Sequence, residues 1–416
     1  MHNQRIWDVA VIGGGPGGMM AAGRSAERGA KVILVEKNGT LGKKLLITGG
    51  GRCNVTNAEF DVRKLLANFK GNDKFLFSPF SQWGVKETLD FFHSKKMETK
   101  IEAEKRVFPV SDSATSVWNV LVEYMKEGKV TILFNAPVTG FITKENFIEA
   151  VRLKTGEEIK ARSFVLATGG KSRPETGSAG DGFTWLKKIG HAVAEPDPAL
   201  VPIAIKDAWV KKLQGISLSG IKIILWQDGV KQAKGEGKIL FTHFGVSGPA
   251  ILNLSKDIGE LLKYGDVTLS LDILPSLDYG KLNSQLLEIC QRQSNKKFKN
   301  CLSSLMPSAL APIVIKLSGI NSDTFSHSVT REERLKLVKL LKNMEMKVAG
   351  LLGVEKAIVT SGGVALEEVD FKTMRSRLFA NLYFVGDILN IDRPSGGYSL
   401  QLCWTTGYVA GTSASA

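Results

Sequence analysis

The chain has 416 residues, 43% hydrophobic and 23% charged, the make-up of an ordinary globular protein with room for two or three domains. No apolar run approaches the roughly 20 residues of a membrane span, which sets a cytoplasmic location as the expectation. The balance of 55 Lys+Arg against 41 Asp+Glu gives +14, a surplus that suits either a polyanionic partner or simply a lysine-rich soluble surface. Cys53, Cys290, Cys301 and Cys403 show no CxxC spacing and read as free thiols. His2, His93, His191, His243 and His327 lack the short spacings of a metal site, so no metal is expected.

In chain order, Trp7–Ile12 reads as a buried strand, Gly13–Gly18 as a glycine-rich turn, Met19–Arg28 as a helix and Lys31–Val35 as a second strand closed by Glu36. Gly13, Gly15 and Gly18 fit G-x-G-x-x-G in the βαβ setting that gives the motif meaning. The first glycine permits a tight turn, the second lets a pyrophosphate approach the backbone, and the third lets the helix pack on the strand. Glu36 stands where an acid accepts hydrogen bonds from an adenosine ribose. The alternative is a glycine turn without a ligand.

Further along, Val130–Phe134 reads as a strand with Val138 behind it, and a three-stranded excursion leads to Ser163–Gly170, a buried strand ending in Ala-Thr-Gly. Pro196–Val354 reads as an insertion. Short alternating runs such as Ile221–Trp226 and Val267–Leu271 suggest a small β-barrel or sandwich over 196–275. A helical pattern follows over 276–354, with Arg331–Met346 amphipathic. The segment 196–354 holds 21 Lys+Arg against 14 Asp+Glu, half of the chain's surplus. Within it, Lys296, Lys297 and Lys299 flank Phe298, a cation–aromatic mixture that suits nucleic acid, against the blander reading of a solvated loop. Finally, Asn381–Asp387 reads as a buried strand ending in Gly-Asp, followed by a glycine-opened helical stretch over Gly396–Gly411. The two cofactor segments are therefore 1–195 and 355–416.

With Thr168 and Gly169 at the first of these strand ends and Gly386, Asp387 and Gly397 at the second, the chain resembles FAD-binding flavoproteins of the glutathione-reductase type. That resemblance implies an α/β Rossmann-type fold, with the aspartate on the ribityl chain and the final helix pointing its N-terminus at the flavin. The alternative for Asp387 is a turn or capping carboxylate.

Gly42–Asn57 (GKKLLITGGGRCNVTN), Arg106–Asp112, Leu240–Leu252, Thr360–Val364 and Gly386–Gly411 together resemble the BaiN/RdsA family of NAD(P)/FAD-dependent oxidoreductases, once called aminoacetone-oxidase-like, over essentially the whole chain. The resemblance implies an inserted β-barrel plus helical subdomain. It also implies cofactor contacts from Pro16, Gly17, Lys37, Lys44, Gly49, Gly51, Arg52, Asn54, Val138, Tyr398, Ser399 and Leu400. Two departures stand out. Where the family reads Gly-Glu-x-Leu-Asp and Gly-Gly-Tyr-Asn, this chain has Asp387 with Asn390, and Ser399. Asp keeps the acceptor with a shorter reach, and Ser keeps only a smaller polar group.

Reduced flavin delivers hydride to the β-carbon of a carbonyl-conjugated double bond while an acid protonates the α-carbon. Uracil and steroid enones both carry such a bond, and the family's RNA branch implies dihydrouridine formation in ribosomal RNA. Cys53, in a basic loop expected to lower its pKa, is one candidate proton donor, and His243 is another. Their bland alternatives are a buried hydrophobe and a satisfied turn histidine. Arg52 suits either a substrate carbonyl or the flavin C2 oxygen. No second GxGxxG is present, so either NAD(P)H binds transiently as the reductant or another donor reduces the flavin. Two other functions stay open, a small-molecule enone reductase or amine oxidase, and a non-catalytic flavin-containing RNA-binding or assembly protein.

Overall fold

Val9 to Ile12 is an unbroken apolar run, and the strand Trp7–Ile12 that contains it is the centre of a parallel sheet. Val32–Val35 lies on one side of it and Glu158–Leu166 on the other. Thr131–Leu133 extends the sheet beyond Val32–Val35, and Leu382–Phe384 extends it beyond Glu158–Leu166, both in parallel. This order is the doubly wound half that binds dinucleotides at the carboxyl ends of its strands. The computed structural model of the protein describes residues 6–69, 71–353, 355–357 and 359–416. His2 and Val354 lie outside them.

The helix Pro16–Glu27 follows the first strand and packs along the last helix, Tyr398–Ala414. Small residues let them approach closely, since a Cβ on Gly407 would lie 2.6 Å from the Gly17 carbonyl oxygen. The anticipated excursion is an antiparallel meander of Val138–Lys144, Phe147–Leu153 and Glu158–Leu166, whose last strand continues into the parallel sheet. Val193–Ala199 pairs with Val359–Val364, which keeps residues 196–199 with the first unit, Met1–Ala199 plus Val354–Ala416.

The second unit, Leu200–Gly353, contains a closed antiparallel barrel. Its strands run in the order Ile203–Ile205, Gly245–Ser247, Val230–Phe241, Ser217–Gln227, Val267–Asp272 and Met344–Leu351. Leu218, Ile221, Ile223 and Leu225 are buried on Ser217–Gln227, the alternation of a strand with one face inward. Tyr279–Arg292, Ala311–Ser318 and Arg331–Lys342 form the helical part, with Leu282, Leu286, Leu337 and Leu341 in its core.

One expectation needs correction. The helix beginning at Arg331 ends at Lys342 rather than Met346, and Met344–Leu351 is a strand paired with Val267–Asp272 and Ile203–Ile205. Met344, Met346 and Val348 are buried while Glu345, Lys347 and Ala349 are exposed, a period of two that the preceding helical pattern masked. The helical part is thus set within the barrel, between its fifth and sixth strands, and does not run on through 276–354.

Candidate functional site

The first strand ends in a turn that only glycine makes easily, with Gly13 at φ 105°. Gly15 is extended at the start of the helix Pro16–Glu27, with Pro16 in its first turn. At the end of the second strand Glu36 is 7% exposed and held on both oxygens. Oε2 accepts from the Gly14 amide at 2.7 Å, and Oε1 accepts from the Asn38 amide at 2.8 Å and its Nδ2 at 2.7 Å.

These residues open onto a cavity of about 570 Å³, inside the size range of small-molecule sites. Gly13, Gly15, Pro16, Gly17, Glu36 and Lys37 line it from the turn and second strand, and Val138, Thr168 and Gly169 from the sheet ends. Lys44, Gly386, Asp387, Ser399 and Leu400 complete the anticipated set. Two helix N-termini, at Pro16 and at Tyr398, thus contribute to one cavity, and their dipoles favour an anionic ligand there. The hydroxyl of Thr168 is buried at the cavity without a hydrogen-bond partner. Glycines bare to the cavity and an orphaned hydroxyl are what an FAD-sized polar ligand would complete, so the residues fit that cofactor.

Asp387 is a buried carboxyl flanked by two cations. Burial works to raise its pKa, but Arg393 and Lys44 hold the carboxyl below the usual range. Arg393 Nη2 donates to Oδ1, and Lys44 Nζ lies 3.4 Å from Oδ2 while donating to Ser172 Oγ at 2.6 Å. Arg393 was not singled out from the sequence, and an arginine in an aperiodic loop gives no local signal. Cys403 also lines the cavity, its thiol pushed up to about 12 by burial and then by the charge of Asp387. Its place on a helix entering the site was the available clue. Lys37 pairs with Asp181 at 2.7 Å, both in the cavity wall.

Other anticipated contacts do not line this cavity. Gly18 packs on the Gly13 carbonyl, and Gly397 lies against the backbone of Thr56. Tyr398 packs edge-to-face on Phe69 with centroids 5.8 Å apart. Gly49 and Gly51 take positive φ in a tight turn, and Asn54 Oδ1 accepts from the Val107 amide at 3.1 Å. Arg52 is turned to Asp112 at 2.8 Å and Glu102 at 3.2 Å, with its guanidinium 4.1 Å over the Phe108 ring. Those hydrogen bonds, to Glu102 and then Asp112, raise its pKa above the ordinary value.

The expected activation of Cys53 is reversed. Its thiol is fully buried, and burial pushes its pKa up to about 12 despite a hydrogen bond with Thr48. His243 is exposed in the second unit, with its ring edge-to-face on Phe244 at 4.9 Å. The reading of Phe298 as a base-stacking residue also fails, because its side chain is fully buried in the core of the second unit. Lys297 and Lys299 both pair with Asp323, at 2.6 and 3.4 Å, and the aromatic ring exposed beside Lys296 and Lys297 is that of Phe325, stacked on His327, not Phe298. Among the described residues no cluster could hold a metal ion, and no helix is long and apolar enough to cross a membrane.

A family described as HI0933-like protein Rossmann domain matches residues 7–413. The 3-dehydro-bile acid delta(4,6)-reductase of Clostridium scindens is 30% identical over 415 residues, covering 98% of each chain. The ribosomal RNA dihydrouridine synthase of Escherichia coli K12 is 27% identical over 405 residues, 97% of this chain and 96% of that one. In fold, the chain is similar to the 3-ketosteroid-delta4-(5alpha)-dehydrogenase of Rhodococcus jostii RHA1, with TM-score 0.57 at 14% identity, covering 100% of this chain and 98% of that one. The chain belongs to the HI0933-like, or BaiN/RdsA, family of FAD-dependent oxidoreductases.

Proposed function

We propose that this protein reduces a carbon–carbon double bond conjugated to a carbonyl, that of a uridine in ribosomal RNA, in the cytoplasm and with NAD(P)H as electron donor. The observation that carries the reading is similarity along the whole chain to relatives named for reducing such bonds, a bile acid reductase and a ribosomal RNA dihydrouridine synthase. The charge of +14 favours the polyanionic substrate of the two.

FAD bound in the cavity supplies hydride transfer. Glu36, with both oxygens already oriented by Gly14 and Asn38, would accept from ribose hydroxyls of the bound group, and the turn Gly13–Gly17 would hold its pyrophosphate. Thr168 Oγ1 would gain the partner it lacks. Lys44 and Asp387 set the charge at their part of the cavity wall. With its pKa raised, Cys53 is a weak acid that holds its proton, and proton delivery to the substrate is assigned to neither of the two candidates, Cys53 and His243.

Mass spectrometry of ribosomal RNA from cells with and without the gene tests the reading. A uridine that carries two extra hydrogens only when the gene is present, restored by wild type but not by Gly15→Val, supports it. An unchanged RNA map with protein expressed overturns it. A second reading, a small-molecule enone reductase, is favoured by the 30% identity to the bile acid enzyme. FAD reoxidation by a 3-keto-4-ene steroid, and not by RNA, would establish it.

A further inference from the structure

We propose that Arg393 is a positioning residue that aims one oxygen of Asp387 at a hydroxyl of FAD and ties that acid to the start of the helix Tyr398–Ala414. The inference rests on the reading of the cavity as the FAD site.

The Arg393 side chain is wholly shielded from solvent, and each of its three guanidinium nitrogens has an acceptor. Nη2 donates to Asp387 Oδ1, Nη1 to the Ile391 carbonyl at 2.6 Å, and Nε to Ser399 Oγ at 3.0 Å. A buried guanidinium is costly unless fully paired, so this arrangement fixes the loop from Gly386 to Ser399 in one shape. Asp387 and Ser399, two of the three residues at which the chain departs from the pattern it otherwise resembles, thus meet the same arginine.

The fork engages only one carboxylate oxygen of Asp387. The other, Oδ2, meets Lys44 Nζ at 3.4 Å, while Lys44 makes its shorter bond to Ser172. Asp387 lines the cavity, so Oδ2 retains lone pairs for a hydroxyl donor there. Three ionisable groups face this carboxyl, Arg393 from its own loop, Lys44 from the segment after the second strand and Cys403 from the last helix. Cys403 stays neutral, so the two cations alone offset the burial of the charge. Without Arg393 the carboxyl loses its nearer cation and protonates more readily.

The test measures FAD dissociation constants by flavin fluorescence from about pH 5 to pH 8, for wild type, Arg393→Ala, Arg393→Lys, Asp387→Asn and the Arg393→Ala/Asp387→Asn double variant. Wild type should bind FAD with little pH dependence. Arg393→Ala should weaken binding by about tenfold or more, increasingly so as the pH falls. Asp387→Asn should weaken it without that pH dependence, and the double variant should be no worse than Asp387→Asn. Arg393→Lys should restore the flat profile with part of the affinity. Wild-type affinity and profile in Arg393→Ala would overturn the proposal, as would a loss that adds fully to that of Asp387→Asn. If Arg393→Ala does not fold, wild-type affinity in Arg393→Lys would overturn it. Failure of wild type to bind FAD would instead remove the reading of the cavity itself.

Discussion

A Cβ on Gly18 would sit 1.9 Å from the carbonyl oxygen of Gly13, whereas one on Gly15 would meet no protein atom within 4 Å. Two glycines of one motif therefore do different jobs. Gly18→Ala forces the helix off the strand and should destabilise the protein by about 1–3 kcal/mol, read as a lower thermal midpoint. Gly15→Val fills only space left for a ligand at an ordinary φ of −77°, so it should melt like wild type yet purify without flavin absorbance. Equal thermal losses in the two variants would refute this division.

Ser376, His191 and Glu368 are arranged like a hydrolase triad, with Nδ1 2.6 Å from Glu368 Oε2 and Nε2 3.0 Å from Ser376 Oγ. The serine is 3% exposed, and its oxygen accepts from the Leu378 and Phe379 amides, so the network holds chain segments together instead of attacking a substrate. Burial lowers the pKa of His191, against the opposing pull of Glu368. A histidine with a lowered folded pKa contributes full stability above its unfolded value of about 6.5 and loses it as the pH falls below that. The thermal midpoint should therefore drop on acidification from about pH 7 towards pH 5, with a shallower slope in His191→Gln. An identical slope in the variant would assign the acid sensitivity elsewhere.

Cys53 should react with iodoacetamide only at the rate of unfolding, because its sulfur is both buried and protonated. Cys53→Ser should keep steady-state turnover within about threefold of wild type. A complete loss of turnover in a variant that still holds FAD would return the thiol to the chemistry.

Phe298→Ala should act through the core of the second unit, costing about 3–5 kcal/mol of stability. Neutralising Lys297 and Lys299 together should change stability far less, since their bonds to Asp323 are exposed. If Phe298→Ala leaves the melt unchanged and weakens RNA binding, the buried assignment is wrong.

The parallel sheet and the cavity floor were legible in the sequence because their signals are local. A buried strand, a glycine turn and an acid at fixed distance repeat the same physics wherever they occur, and Gly13, Gly15 and Glu36 lie where that physics puts them. Gly49 and Gly51 misled for the same reason, since positive φ serves a tight turn as readily as a ligand. Arg393 was invisible because its meaning lies in three acceptors brought together by the fold. The charge of Lys297 and Lys299 read as free until Asp323, distant in sequence, came alongside. Met344–Leu351 was lost because it directly follows a helix of similar composition.

The interruption of the first unit by an unbroken second one has a consequence for synthesis. As the chain emerges from the ribosome, Trp7–Ile12 and Glu158–Leu166 are available early, but the strand Leu382–Phe384 and the helix Tyr398–Ala414 appear only after the whole second unit. The barrel, contiguous in sequence, has all its strands by Leu351 and can close first. The half-built sheet must meanwhile wait with one edge unpaired, a state prone to wrong pairing. Any truncation before the last helix therefore removes Ser399, Leu400 and Cys403 from the cavity wall, which is complete only once the second unit has been made and passed.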